Sequence, residues 1–306
     1  MTSDKLPRTI GIDLGGTKIS FIDMFSPEKI LGEKKIKTPQ TRNELIGALI
    51  DTTRNILSSK KDPPPMGIGI AAAGQINHKA KSIVFSPHLP FKSEFALGAE
   101  LEKALNVPVT MENDANAAAI GEKVFGQAKE MDDFIVLTLG TGIGSGIFTG
   151  GKLLRGYLGA GGEAGHIVID PDGPQCNCGN RGCLEAFAGG VGIARMAEEI
   201  FGRQVDAEEV SSLARGGDEK AKEILKGAGQ RLGDGLVSLV NVFNPQAIFF
   251  IGSLTNAPDD YFLPALKKVK ESSFGTSGEN VVIKNSIFKD SMGVIGAAAL
   301  PVIYAA

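Results

Sequence analysis

The sequence predicts an α/β protein of two domains, duplicated in plan and facing a common cleft. Three observations predict it. Apolar strand-like runs alternate with helical patterns in both halves of the chain. A strand, a glycine turn and a returning strand occur as Thr9–Leu14, Gly15-Gly16 and Thr17–Asp23, and again as Phe134–Leu139, Gly140–Gly146 and Ile147–Thr149. Glycine, at 40 of 306 residues, runs to about twice its usual share and collects behind the apolar runs, where the backbone must turn.

The elements follow in order. After the first glycine-turn hairpin, Asn43–Ser58 carries a helical period, and Met66–Ala71 is a short apolar run of the kind a buried strand makes. Ser93–Leu105 reads as a helix, Val107–Met111 as a second buried strand, and Ala115–Val124 as a helix directly behind it. Beyond the second hairpin, helices are expected at Gly192–Phe201, Asp218–Val242, Pro258–Glu271 and Ser291–Ile303, with a further buried strand at Ala247–Ile251. Gly150-Gly151, Gly159–Gly165 and Gly252 are further candidate ligand-facing turns. The domain break is expected just after Met111, giving domains of residues 1–112 and 113–290 with a hinge between them.

Composition excludes several classes. With 42% hydrophobic and 22% charged residues the chain is too apolar for disorder. A net charge of -3 argues against a nucleic-acid partner, and no apolar stretch reaches the roughly 18 to 20 residues that a membrane helix needs. The N-terminal Met-Thr-Ser-Asp-Lys-Leu-Pro lacks the basic flank and apolar core of a secretion signal, so the expected compartment is the reducing cytoplasm.

Glycine-rich turns aim several backbone N–H groups at one anion. Asp13-Leu-Gly15-Gly16-Thr17-Lys18 has that form, flanked by strands on both sides; a P-loop or a Rossmann turn would need a helix after the glycines. Together with Gly140, Thr141 and Gly142 of the second hairpin, and Gly252 and Ser253 behind a third strand, it makes a nucleotide site the expectation. Asp13 beside a phosphate reads as an indirect magnesium partner, since magnesium prefers carboxylate oxygen and keeps its waters. The alternative is an acid that caps the turn.

All three cysteines, Cys176, Cys178 and Cys183, fall within eight residues, and His166 precedes them by ten. Three thiolates and an imidazole suit a closed tetrahedral shell, so the expected metal is a structural zinc. The alternatives are three unligated core thiols, set against a segment rich in glycine and asparagine, and a disulfide, set against an odd cysteine count.

The runs Asp13-Leu-Gly-Gly-Thr-Lys, Glu112-Asn-Asp-Ala-Asn-Ala-Ala, Leu139-Gly-Thr-Gly-Ile-Gly-Ser-Gly and Glu163-Ala-Gly-His, with the Cys-x-Cys cluster, resemble the ROK family across about residues 9 to 300. That family holds bacterial sugar kinases and repressors. The resemblance implies the two-domain, ribonuclease H-like fold of actin, hexokinase and the heat-shock chaperone ATPases, with ATP and magnesium in the cleft beside a monosaccharide. It also implies a homodimer, and a C-terminal helix, about residues 291–306, that returns to the first domain.

Asp114, at the junction of a buried strand and a helix, is the candidate base that orients a sugar hydroxyl and takes its proton. The residues alone leave open a helix-capping role, and the resemblance implies catalysis. Sites that discriminate hexose hydroxyls use carboxylates and amides, and Asn113, Glu163, His166 and Glu185 are the available set. By resemblance these four, with Asp114, are the sugar contacts, while Gly74 permits close backbone approach. His166 is expected to serve twice, one ring nitrogen on zinc and the other facing outward. On this reading zinc loss harms stability and sugar affinity before nucleotide binding.

The chain departs from the family pattern at Ser86-Pro-His88-Leu-Pro-Phe91 and Ala71-Ala-Ala-Gly74-Gln75, which leaves the sugar's epimer and 2-position substituent open. His78 and His88 read as loop histidines. The resulting expectation is an ATP-dependent glucokinase, with fructose, mannose or N-acetylmannosamine kinase as the alternative. A sugar-sensing regulator is the rival class; only Met1–Arg8 precede the first strand, where family repressors carry a helix-turn-helix segment.

Overall fold

The computed structural model describes residues 6–59, 63–86, 89 and 94–305, without the side chain of Asp290. His88 and Phe91 lie outside the described residues. The chain runs β1 (Thr9–Leu14), β2 (Lys18–Ser26), β3 (Lys29–Lys37), α1 (Arg42–Ser58), β4 (Gly67–Ala72), β5 (Gln75–Asn77), β6 (Ser82–Phe85), α2 (Leu97–Leu105), β7 (Val109–Asn113) and α3 (Asp114–Val124). It continues β8 (Phe134–Leu139), β9 (Ile143–Thr149), β10 (Lys152–Leu153), α4 (Leu184–Ala188), α5 (Gly190–Phe201), α6 (Ala207–Arg215), α7 (Glu219–Phe243), β11 (Ala247–Ile251), α8 (Asp259–Ser272), α9 (Ser277–Asn280), β12 (Val282–Asn285) and α10 (Met292–Tyr304).

Two compact units result. One takes the chain through Glu130, Leu153–Gly161 and the segment from Ser291; the other takes Met131–Lys152 and Gly162–Asp290. The first sheet has the order β3-β2-β1-β4-β7 and the second β10-β9-β8-β11-β12. In each, an antiparallel hairpin leads into two parallel strands, β4 and β7 in one and β11 and β12 in the other. The repeated glycine-turn pattern is the hairpin of each copy.

The division of the chain corrects the expected break after Met111. That point lies inside β7, and α3, which follows without a linker, packs against α10 within the first unit. The segment Leu153–Gly161 also belongs to the first unit, which no compositional signal indicated.

Strand alternation decides what each face of β1 meets. Ile10, Ile12 and Leu14 enter a core with Leu45 and Leu49 of α1 and Leu97 and Leu101 of α2. The intervening residues face α10. Gly11 is glycine because a Cβ there would sit 2.6 Å from the Ala298 nitrogen. Asp13, next on that face, reaches the start of α10, where a Cβ on Gly293 would lie 2.8 Å from its Oδ2. Part of the glycine excess therefore serves close packing. Likewise Gly144 and Gly146, expected in a turn, belong to β9, and the turn itself is Gly140–Gly142.

Other elements differ from expectation for local reasons. The helix expected from Ser93 begins at Leu97, since Phe95 pairs with Ile83 as an antiparallel bridge; Ser93 is outside the described residues. β3 escaped the sequence pattern because Lys29, Lys34, Lys35 and Lys37 make it a charged edge, which guards against sheet-to-sheet association. Among the described residues no helix is long and apolar enough to cross a membrane.

Candidate functional site

In the first unit, chemistry collects at the carboxyl ends of the parallel strands, where α/β sheets receive ligands. Across the sheet Asp13 is in register with Ala71, and Ala71 with Glu112. Asn113 is the cap of α3. Its Oδ1 accepts from the N–H groups of Ala115 (3.0 Å) and Asn116 (3.1 Å), and its Nδ2 donates to the Gly74 carbonyl (3.1 Å). The capping left open for Asp114 is thus performed by its neighbour, and both ends of the Asn113 amide are engaged within the protein. Asp114 is the first residue of the helix, where Oδ1 accepts from Ala115 N–H at 2.9 Å and the positive helix end favours its charge. Gly74 has φ of +110°, and a Cβ there would collide with the Phe85 carbonyl, so the close approach it permits is to β6.

The first glycine turn is closed by Gly15 N–H donating to the Lys18 carbonyl at 3.1 Å. Thr38 braces it, its hydroxyl donating to the Gly15 carbonyl (2.7 Å) and its N–H to the Thr17 carbonyl (3.0 Å). Gly16 is half-buried, and Thr17 and Lys18 stand exposed at the tip. Asp13, behind it, has its pKa raised from 3.8 to about 6, by burial first and by the Asp114 carboxylate second, with Lys18 pulling the other way. A magnesium ion fits here, since a cation held by Asp13 would relieve the repulsion between the two acids.

That shift has a thermodynamic sign. The unfolded carboxyl ionises near 3.8 and the folded one near 6, so within that window the folded state holds the extra proton and stability falls as pH rises. In metal-free protein, Asp13→Asn is expected to gain about 1 to 2 kcal/mol near pH 7 and to lose the advantage by about pH 4. The value is below that for a sealed carboxylate because Asp13 keeps some solvent contact. Thermal melts across that range measure it, and identical curves near pH 7 would refute it.

In the second unit, Gly140 N–H donates to the Gly142 carbonyl at 3.0 Å. The carbonyls of Gly140 and Thr141 accept from Gly190 (2.8 Å) and Val191 (3.0 Å) at the start of α5. The turn borders a cavity of about 630 Å³, lined also by Ser253, by Ser211 and Arg215 of α6, and by Asn256. Such a volume suits a small organic ligand. Gly252, with φ of +97°, turns the chain from β11 into Ser253. Gly142 faces elsewhere: a Cβ on it would collide with the Glu185 carboxylate.

His166, Cys176, Cys178 and Cys183 come together, with one ligand atom from each within 4.8 Å of the others. Cys176 Sγ is 3.7 Å from His166 Nδ1, and Cys178 Sγ is 3.6 Å from Cys183 Sγ. A tetrahedral zinc, with bonds of about 2.3 Å to sulfur and about 2.0 Å to nitrogen, separates two sulfurs by about 3.8 Å and sulfur from nitrogen by about 3.6 Å. The group fits. The three cysteines are free, and the separation of Cys178 and Cys183 is well beyond the roughly 2 Å of a bridge. Burial, then hydrogen bonding with Cys178 and Cys176, pushes the Cys183 thiol up to about 12, and burial raises Cys176 as well. Metal uptake must therefore displace protons and strengthens as pH rises.

Glu185, in the first turn of α4 behind Cys183, spans two features. Its Oε1 lies 3.7 Å from Cys176 Sγ, and its Oε2 accepts from Ile143 N–H at 3.0 Å, beside the glycine turn. Glu163 is exposed and precedes the short 3-10 turn Ala164–His166. Ser145 holds that turn, its Oγ bonding the Gly162 carbonyl and accepting from Ala164 N–H.

Sequence reasoning missed α6, one wall of the cavity. A signal existed in Asp206-x-x-Glu209, a capping pattern in which the Asp206 side chain accepts from Glu209 N–H at 2.8 Å. His78, read as a loop residue, has Nδ1 3.0 Å from the Met111 carbonyl oxygen and its ring 4.4 Å from that of Tyr304.

Comparison with known proteins adds to this geometry. The sequence model of the ROK family matches residues 9–302. A glucokinase of Thermotoga maritima is 33% identical over 96% of this chain and 96% of its own length. A xylose repressor of Caldicellulosiruptor bescii is 31% identical over 95% of this chain and 77% of its own. The crystal structure of a ROK family glucokinase from Streptomyces griseus, in complex with glucose and AMPPNP, superposes with a TM-score of 0.80 at 32% identity, covering 96% of this chain and 98% of that one.

Proposed function

The chain belongs to the ROK family, and from that premise we propose that it is an ATP-dependent hexose kinase, with glucose as the preferred acceptor. One observation carries the reading: Asp114 is the first residue of α3, just past the Asn113 cap, and its carboxylate is close enough to Asp13 to raise that residue's pKa. Two acids held together this way suit a site that receives a cation and a hydroxyl. The fold supports it, as do relatives named as glucokinases, one of them bound to glucose and AMPPNP.

Within this reading the acceptor hydroxyl donates a hydrogen bond to Asp114, which takes the proton as the hydroxyl oxygen bonds to the γ-phosphorus of ATP and the bridging P–O bond breaks to release ADP. Its modest basicity suffices because a loose transition state releases that proton late. Asn113 holds the helix end, and the turns at Gly15–Lys18 and Gly140–Thr141 supply N–H groups toward phosphate. The cavity beside Thr141 and Ser253 takes the nucleoside part of ATP. Glu163, Glu185 and the outward nitrogen of His166 select the sugar. Magnesium beside Asp13 would supply charge neutralisation at the phosphates, and zinc would hold the Cys176–Cys183 segment. A homodimer is part of the proposal, tested by sedimentation.

ADP release measured over glucose, mannose, fructose and N-acetylmannosamine is expected to give glucose the highest kcat/KM. A higher value for any of the other three sugars would reject glucose as the preferred acceptor in favour of another hexose kinase. The similarity to a xylose repressor keeps one second reading, a sugar-sensing regulator. Sugar binding with no turnover of ATP would favour it.

A further inference from the structure

Glu112 is a carboxylate on a buried strand, 3% exposed, two residues ahead of Asp114. Met111 belongs to the core shared with α1 and α2, so the alternation of β7 turns Glu112 to the opposite face, toward α10. Burying such a charge is costly unless every lone pair is occupied. Oε2 accepts from Arg155 Nε at 2.8 Å and from the Tyr304 hydroxyl at 3.0 Å, and Arg155 Nη2 is also 2.8 Å away. Oε1 accepts from Asn113 N–H at 3.1 Å and from Asn116 Nδ2 at 3.2 Å.

The two oxygens thus have different tasks. One is anchored by Arg155, from the Leu153–Gly161 segment, and by the last turn of α10. The other holds the backbone of the residue that caps α3. The anchor is itself braced: the Arg155 guanidinium lies 5.3 Å from the centre of the Tyr304 ring, and Gln75 Nε2 donates to the Leu158 carbonyl at 2.9 Å. The bond from Asn113 N–H occupies a lone pair of Oε1 and at the same time fixes the backbone of the capping residue. We infer that Glu112 is a positioning residue, fixing the Asn113 cap and through it the Asp114 carboxylate, with Arg155 and Tyr304 holding Glu112 in place. The inference rests on the kinase reading of Asp114.

Two charge-free double variants separate positioning from stability. Glu112→Gln with Arg155→Met removes the ion pair and keeps an oxygen toward Asn113. Glu112→Leu with Arg155→Met removes the pair and the acceptor. Both are expected to melt within a few degrees of each other. The Gln double, which lacks the Arg155 anchor, should keep on the order of a fifth of the parent kcat, whereas the Leu double should fall on the order of tenfold or more below the Gln double, with the ATP KM within about twofold. Equal kcat in the two doubles would overturn the inference. Should the Leu double not fold, Arg155→Lys replaces it: it keeps the charge and loses the planar fork, so kcat should fall about fivefold at unchanged ATP KM. Undiminished kcat there would overturn the inference too. A wild-type protein with no turnover would overturn the kinase reading and this inference with it, whereas an active one with equal doubles would overturn this inference alone.

Discussion

Asp114→Asn is expected to fold as the parent does and to lose about a thousandfold in kcat. The substitution is isosteric, and the hydrogen bond that Oδ1 accepts from Ala115 N–H survives it. The helix keeps its cap, since Asn113 provides it. The change is thus one of charge and proton affinity at Asp114, and through it at Asp13, whose pKa the Asp114 carboxylate helps to raise. Sugar and ATP affinities should shift by a few-fold at most, because an amide still bonds a hydroxyl; the loss belongs to the transition state. Steady-state kinetics with both KM values, alongside a thermal melt, measure this. A variant within tenfold of the parent would remove Asp114 from the chemistry.

Zinc removal is the second large effect. Stripping the metal, or replacing Cys183 with Ser, is expected to lower the melting temperature by roughly 10 °C or more. Without the ion, the segment from His166 to Cys183 is left to its own pairings, Val168 with Cys183 and Gln175 with Arg181, and to ties such as the ion pair of Asp170 with Arg231 at 3.1 Å. Sugar KM should rise about tenfold as Glu163, His166 and Glu185 lose their common frame. Nucleotide affinity should fall as well, by a smaller factor. This revises the expectation drawn from sequence, because Glu185 reaches from Cys176 to the Ile143 N–H beside the glycine turn. Calorimetric titration of sugar and nucleotide into metal-free and zinc-reconstituted protein tests both. Unchanged sugar affinity and melting temperature would reject a structural role for the metal.

What the sequence alone determined was short-range. The cysteine cluster needs only an eight-residue window, and its ligands meet because the intervening glycines and asparagines turn the chain back on itself. The hairpins at Gly15-Gly16 and Gly140–Gly142 are likewise written in local turn chemistry, and the parallel strands β4, β7 and β11 follow from apolar runs of strand length, whereas β12, Val282–Asn285, carries no such run. The charged edge strand β3 and helix α6 escaped because neither buries a long apolar stripe.

Tertiary structure decided everything that joins distant residues. Glu112 looks in sequence like one more polar residue before a helix; only folding brings it Arg155, 43 positions away, and Tyr304, 192 away. It also decided that Asn113 rather than Asp114 caps α3, that Gly11 exists for α10, and that Glu185 touches both the cysteines and the glycine turn. The reason is physical. Periodicity and turn propensity act over a few residues, whereas the partner of a buried carboxylate is set by which surfaces the whole chain can pack together without leaving a charge unpaired.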